Sequence, residues 1–205
     1  MNEIEFAALL VSRVCHDLVS PVGAVVNGLE VLEDERDATM RADALKLVVS
    51  SAEQAAARLQ FARIAFGAAG SAGAELDLTE VGRIVKGLVQ GGKVSVDWQA
   101  AAVNWPKDWA KLLMNAALLG ADSLPRGGLV RVETSTDPAA PSFKVRATGQ
   151  NARLLEEVEK AARGEPVMPV DGRSIQPLLV HKLARLLNAG LTLTASEGAV
   201  ELVAG

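Results

Sequence analysis

Between residues 3 and 33, apolar side chains recur every seven residues. No other feature of the 205-residue chain restricts its fold as strongly. Ile4, Val11, Leu18, Val25 and Leu32 form one series, and Ala8, Cys15, Val22 and Leu29 form another, offset by four. Together they trace the a/d seam of a coiled coil or helix bundle. Asp34-Glu35-Arg36-Asp37 interrupts the repeat and predicts a turn. A second helix is predicted over 38–66, where Leu45, Ala52, Leu59 and Phe66 repeat every seven, with Val48, Val49, Ala55, Ala56 and Ala62 between them. Two such helices make an antiparallel hairpin with little core of its own. Two copies packed together bury both seams, so we expect a homodimer through a four-helix bundle with isologous contacts.

The small-residue run from Gly67 to Ala74 predicts a linker, with domains at 1–70 and 76–205. The pattern then changes. Thr79 is the expected N-cap of a helix through Gln90. Alternation predicts strands at 93–98, 129–135 and 142–147. Pro106 is expected to open a helix running to Ser123, and further helices are placed at 151–163 and 175–188. Residues 191–195 and 199–203 read as a hairpin turning at Glu197-Gly198. Helices mixed with antiparallel strands suggest an α/β two-layer sandwich, so the whole chain is α+β. With four Phe, three Trp and no Tyr, the core must be built mostly from Ala, Leu and Val. Trp98, Trp105 and Trp109 are most simply core residues of the second domain, the alternative being that one of them lies against a partner.

A net charge of −4 argues against a nucleic-acid binder, which would carry a basic patch. No run reaches the ~18 consecutive apolar residues of a membrane span. The acidic opening Met1-Asn2-Glu3-Ile4-Glu5 does not read as a signal peptide, so a cytoplasmic location is the default. The single cysteine, Cys15, excludes an intramolecular disulfide and a cysteine-based zinc site. On the seam it reads as a small buried apolar group.

His16 follows seam position Cys15 by one residue, which turns it off the buried stripe toward solvent. An unperturbed imidazole titrates near pH ~6.5, so a neutral nucleophilic nitrogen is available at cytoplasmic pH. Phosphoryl transfer needs positioning and charge stabilisation more than covalent machinery, and a rigidly held imidazole suits it. Asp17 can orient or polarise the ring. Ser20 and Gly23 are small and leave room for a partner's surface beside it. Pro21 has no N–H for the carbonyl of Asp17 and should bend the helix. Arg13 can steady a phosphoryl group or a partner's acidic pocket, or be an ordinary solvated arginine. Glu30 and Glu33 read as solubilising surface or as contacts for a docked regulator. His181 lacks an acidic neighbour and a downstream Ser-Pro, and reads as a solvated surface histidine.

His16-Asp17-Leu18-Val19-Ser20-Pro21, followed by Asn27-Gly28-Leu29-Glu30, resembles the H-box of sensor histidine kinases. Asn115-Ala116-Ala117 resembles their N-box, and 175–203 resembles the last helix and terminal hairpin of their ATP-binding domain. Two departures bear on ATP. Arg146–Asn151 lacks the carboxylate that would pair with adenine. Val170–Pro177 offers one glycine where a lid needs several to let backbone approach phosphates. By this resemblance ATP binding is not expected, and Asn115 is a relic of an N-box.

A degenerate kinase body with an intact H-box is similar to the ChpT family of histidine phosphotransferases. His16–Ala24, Asn27–Glu30 and Leu124-Pro125-Arg126-Gly127-Gly128 carry the similarity. It implies a homodimer that relays a phosphoryl group from the receiver aspartate of a CckA-type hybrid kinase, through His16, to the aspartate of a CtrA- or CpdR-type response regulator. The docking face would comprise Arg13, Val19, Ser20, Gly23 and Asn27. No cofactor is expected on this chain, and Mg²⁺ would come from the partner's receiver domain. The alternatives are an active kinase with an unusual nucleotide site and a non-catalytic dimeric adaptor.

Overall fold

The computed structural model describes residues 1–67, 73–167, 170–172 and 174–205, so most of the expected linker, and Arg173, lie outside the described residues. Helix α1 spans Glu3–Asp34 and α2 spans Ala38–Ala65. Asn2 and Glu5 form a reciprocal capping box at the start of α1. The Asp37 carboxylate takes the N–H groups of Thr39 and Met40 and starts α2. The turn between them is closed by Arg41, which donates to the carbonyls of Leu32 and Glu35. Pro21 lies inside α1, and the helix runs on through it.

The heptad pattern divides into two faces. Pro21 and Gly28 are buried against α2, flanked by half-buried Val14, Leu18, Val25 and Leu32. Gly28 sits where a Cβ would meet Val48 at 2.6 Å, so glycine allows the two helices to approach closely there. The other stripe of α1, Val11, Cys15, Val22 and Leu29 with Val19 and Val26, is exposed on the single chain. Leu45, Ala52 and Leu59 are likewise exposed on α2. Cys15 is therefore exposed in one chain, whereas the sequence placed it in a buried seam that needs a second copy. By length and composition alone α1 is also apolar enough to cross a membrane, although Arg13, His16 and Asp17 interrupt any unbroken apolar run.

Beyond the hairpin, β1 (Glu75–Asp77) pairs antiparallel with β3 (Asn104–Pro106). Between them come α3 (Leu78–Val89) and β2 (Val94–Gln99), and after them α4 (Lys107–Asp122). Strands β4 (Gly128–Thr134) and β5 (Phe143–Thr148), helices α5 (Glu156–Arg163) and α6 (Ile175–Leu186), and the hairpin β6 (Thr192–Ser196) and β7 (Ala199–Ala204) complete the chain. The five-stranded sheet has the order β2-β4-β5-β7-β6. Its inner face, with Val130, Val132, Val145, Ala147, Val200 and Leu202, is fully buried beneath the helical layer. The outer face carries the ion pairs of Glu201 with Lys144 and Arg146.

The sequence expectations hold for the α+β class and the two layers, with several corrections. The pair β2–β4 is parallel, not antiparallel. The N-cap of α3 is Asp77, two residues earlier than expected, and its carboxylate accepts from the N–H of Thr79. Pro106 caps α4 from outside the helix. Helix α5 starts at Glu156, because Asn151 turns at φ 61° and 151–155 stays extended or looped. Gly127 and Gly128, with φ 87° and 149°, turn the chain into β4 beside the carbonyls of Lys93 and Thr148, where a Cβ would collide. The two expected domains also share one core. Phe61, Ile64 and Ala65 at the end of α2 pack among Leu78, Trp105 and Leu113. Trp105 is buried edge-to-face with Trp109 at 6.2 Å, and Trp98 donates to the carbonyl of Leu78.

Candidate functional site

The site begins with a carbonyl that the helix cannot satisfy. Proline at position 21 has no N–H, so the carbonyl of Asp17 has no i+4 donor. Arg58, on α2, supplies one: its Nη1 donates to the Asp17 carbonyl at 2.6 Å. This bond lets α1 pass through the proline and clamps the turn below His16 to the second helix of the hairpin.

The side chain of Asp17 faces two ways. Its Oδ2 accepts from Nε of Arg13 at 2.9 Å, one turn earlier on the same helix. Its Oδ1 lies 3.4 Å from Nδ1 of His16, a long contact that favours the tautomer with hydrogen on Nδ1. The His16 side chain is 86% exposed. In that tautomer Nε2 carries the free lone pair, on a ring that is open to solvent.

Arg13 is not a solvated arginine. Its side chain is only 15% exposed and is turned toward the second domain. Nη2 pairs with Oδ2 of Asp122, at the end of α4, at 3.2 Å, and Nη1 donates to the carbonyl of Gly172, also at 3.2 Å. Burial alone would lower Arg13, but the attraction of Asp122 and Asp17 outweighs it and holds the guanidinium above its ordinary value. Asp122 moves up from the ordinary carboxylate range through burial, with Arg13 opposing. Nearly half of its side chain, 46%, remains open to water. A permanently charged guanidinium lies beside it, so we read the pair as ionised at neutral pH.

The remaining site residues share a surface. Ser20, Gly23 and Asn27 follow His16 at four, seven and eleven residues, which puts them on one face of α1. Val19, Ser20 and Asn27 are exposed, and the space beside Gly23 is open. Arg13 is the one expected docking residue that turns away from this surface. Sequence reasoning missed Arg58 and Asp122. The missing N–H of Pro21 signalled that some donor was needed without identifying Arg58.

Asn115 is buried and structural here. Its amide donates to the carbonyls of Ala65 and Lys111 at 3.1 and 2.9 Å, and Gln176 donates to its backbone carbonyl at 2.8 Å. It ties α2, α4 and α6 together. His181 is half-buried: its ring seats against Gly164 and bonds the carbonyl of Ala162, so it is a packing residue of α5 and α6. Among the described residues no three His, Cys, Asp or Glu side chains gather as metal ligands.

Residues 78–199 match the family model of the histidine phosphotransferase C-terminal domain. Over 204 residues the chain is 38% identical to the protein phosphotransferase ChpT of Brucella abortus (strain 2308), covering 99% of this chain and 95% of that protein. A bacterial phosphotransferase solved at 1.7 Å superposes with a TM-score of 0.89 and 35% identity, over 100% of this chain and 98% of that one. Both likenesses extend through the hairpin.

Proposed function

The chain belongs to the histidine phosphotransferase family, and on that footing we propose that His16 is the residue that receives and passes on the phosphoryl group. The observation that carries this reading is the exposed imidazole whose Nδ1 is turned to Asp17, leaving Nε2 open. Nε2 attacks the phosphorus of a receiver-domain aspartyl phosphate in line. The new P–N bond forms as the P–O bond breaks, and the departing electron pair returns the aspartate to its carboxylate. The ring, still holding hydrogen on Nδ1, becomes cationic, and the Asp17 carboxylate offsets that charge. No proton has to move. The same steps in reverse deliver the group to a second receiver. A divalent cation held by the receiver's own acidic residues would supply charge neutralisation of the phosphoryl oxygens.

The donor we propose is the receiver domain of a hybrid kinase of the CckA type, and the acceptor a regulator of the CtrA or CpdR type. Val19, Ser20, Gly23 and Asn27 provide a low, open surface for the docked receiver. The exposed stripe of Val11, Cys15, Val22 and Leu29 supports a homodimer, in which a second hairpin covers it. We also propose that the second domain does not use ATP: 146–151 carries no carboxylate, and the amide of Asn115 is committed to holding helices together.

The test is incubation with a phosphorylated receiver domain and mapping of the labelled residue. Label on His16, lost in His16→Ala while the fold persists, is expected. Label retained by His16→Ala overturns the assignment. Binding of the receiver without any label would favour the adaptor instead.

A further inference from the structure

We infer that Asp122 of the second domain is a positioning residue for phosphotransfer: it holds Arg13, Arg13 holds Asp17, and Asp17 holds the Nδ1 side of His16. The inference rests on the proposed role of His16 and goes beyond it, because it gives the ATPase-like body a part in the chemistry of the hairpin.

Three contacts make one chain of contacts: Asp122 Oδ2 to Arg13 Nη2 at 3.2 Å, Arg13 Nε to Asp17 Oδ2 at 2.9 Å, and Asp17 Oδ1 to His16 Nδ1 at 3.4 Å. Residues 13 and 17 are neighbours on the helix and would touch in an isolated hairpin. What the second domain adds is direction. A free arginine side chain samples many rotamers and would drag Asp17 with it. Here the planar guanidinium is fixed at one end by Asp122 and at another by the Gly172 carbonyl, so the nitrogen facing Asp17 has a set position.

Asp122 also stands where a lone carboxylate is disfavoured. It ends α4, whose last turn carries no basic residue, so it faces the negative end of the helix dipole. Arg13, from a different element, provides the compensating charge. The anchor is itself rigid. Asn115, on α4, is bonded to the end of α2 through Ala65 and receives Gln176 of α6. The end of α4 therefore cannot drift far from the hairpin without breaking buried bonds.

The consequence falls on the nucleophile. When Asp17 is held, the neutral ring keeps hydrogen on Nδ1 and its lone pair on Nε2. When Asp17 is released, the ring samples the other tautomer, whose exposed nitrogen is already protonated and cannot attack.

The test combines ¹⁵N NMR of the His16 ring, at a pH where it is neutral, with single-turnover transfer from a phosphorylated receiver. In Asp122→Asn the Nδ1–H tautomer should lose population. The rate at saturating receiver should fall about three- to tenfold, the scale of one partly exposed charged hydrogen bond, with the receiver concentration at half-saturation unchanged. Asp122→Glu, which keeps the carboxylate, should recover most of the loss. In an Arg13→Met background Asp122→Asn should have no further effect. An unchanged tautomer ratio in Asp122→Asn, or a loss that persists in full beside Arg13→Met, overturns the inference. The ratio is read on the unphosphorylated protein, so it tests the positioning even if His16 proves to take no phosphate, a result that would overturn the proposed function instead.

Discussion

Replacing Arg58 by methionine should expose the cost of placing Pro21 four residues after Asp17, whose carbonyl then lacks its helical donor. Arg58 is the donor to the Asp17 carbonyl from outside the helix, at 2.6 Å in a half-buried setting. A charged hydrogen bond of this kind contributes about 1.5–3 kcal/mol, and an acceptor left without a partner costs about 1–3 kcal/mol. Water can reach part of the site, so the expected loss lies at the lower end, about 1–2 kcal/mol. For a chain of this length that corresponds to a drop of about 2–8 °C in melting temperature. Pro21→Ala provides the control. It restores an N–H four residues after Asp17, so the helix itself satisfies the carbonyl. In that background Arg58→Met should cost less than about 0.5 kcal/mol, a coupling of about 1 kcal/mol between positions 21 and 58. Urea unfolding of the four proteins measures it. Equal losses in the two backgrounds would refute the reasoning, because the arginine would then contribute through something other than the orphaned carbonyl.

Gly28→Leu should destabilise the hairpin by about 1–3 kcal/mol, since the new side chain must displace Val48 and push the helices apart; thermal unfolding reads this directly. His181 lies below its ordinary value of 6.5, first through burial and then through repulsion by Arg185 and Lys182. The unfolded chain therefore takes up the proton first as pH falls. The contribution of this residue is complete above the ordinary value and is lost progressively below it. His181→Gln should consequently lose less melting temperature than the parent between about pH 7.5 and 5.5, and an equal loss would contradict the sign. Val22→Asp with Leu29→Lys should shift the protein to a monomer by light scattering, and Cys15 should react with a thiol reagent faster in that variant. A parent protein that is already monomeric would remove the bundle.

Local pattern fixed more of the fold than of the site. The heptads delimited the hairpin because their period is set by the helix itself, and alternation located β4 and β5 because each buries one face. The misplaced boundaries have tertiary causes. Asp77 starts α3 earlier because β1 pairs with β3 and delivers that carboxylate to the helix end. Residues 151–155 carry helix-compatible side chains, yet Asn151 adopts a left-handed turn that breaks the run. His16, Asp17 and the surface below them were legible because they lie along one helix. Arg58 and Asp122 were not. They stand 41 and 109 residues from the groups they bond, and only the packing of the hairpin on the second domain brings them in. The shared core through Phe61 and Ala65 escaped for the same reason, since the glycine- and alanine-rich stretch after them signals a boundary that the buried contacts cross.

The proposed relay depends on which nitrogen of His16 is free to react. ³¹P–¹⁵N correlation on the protein after transfer from a phosphorylated receiver would identify the atom that carries the phosphoryl group. The geometry of Asp17 and His16 predicts a single phosphoramidate on Nε2. A phosphoramidate on Nδ1, or one on any other residue, would contradict it.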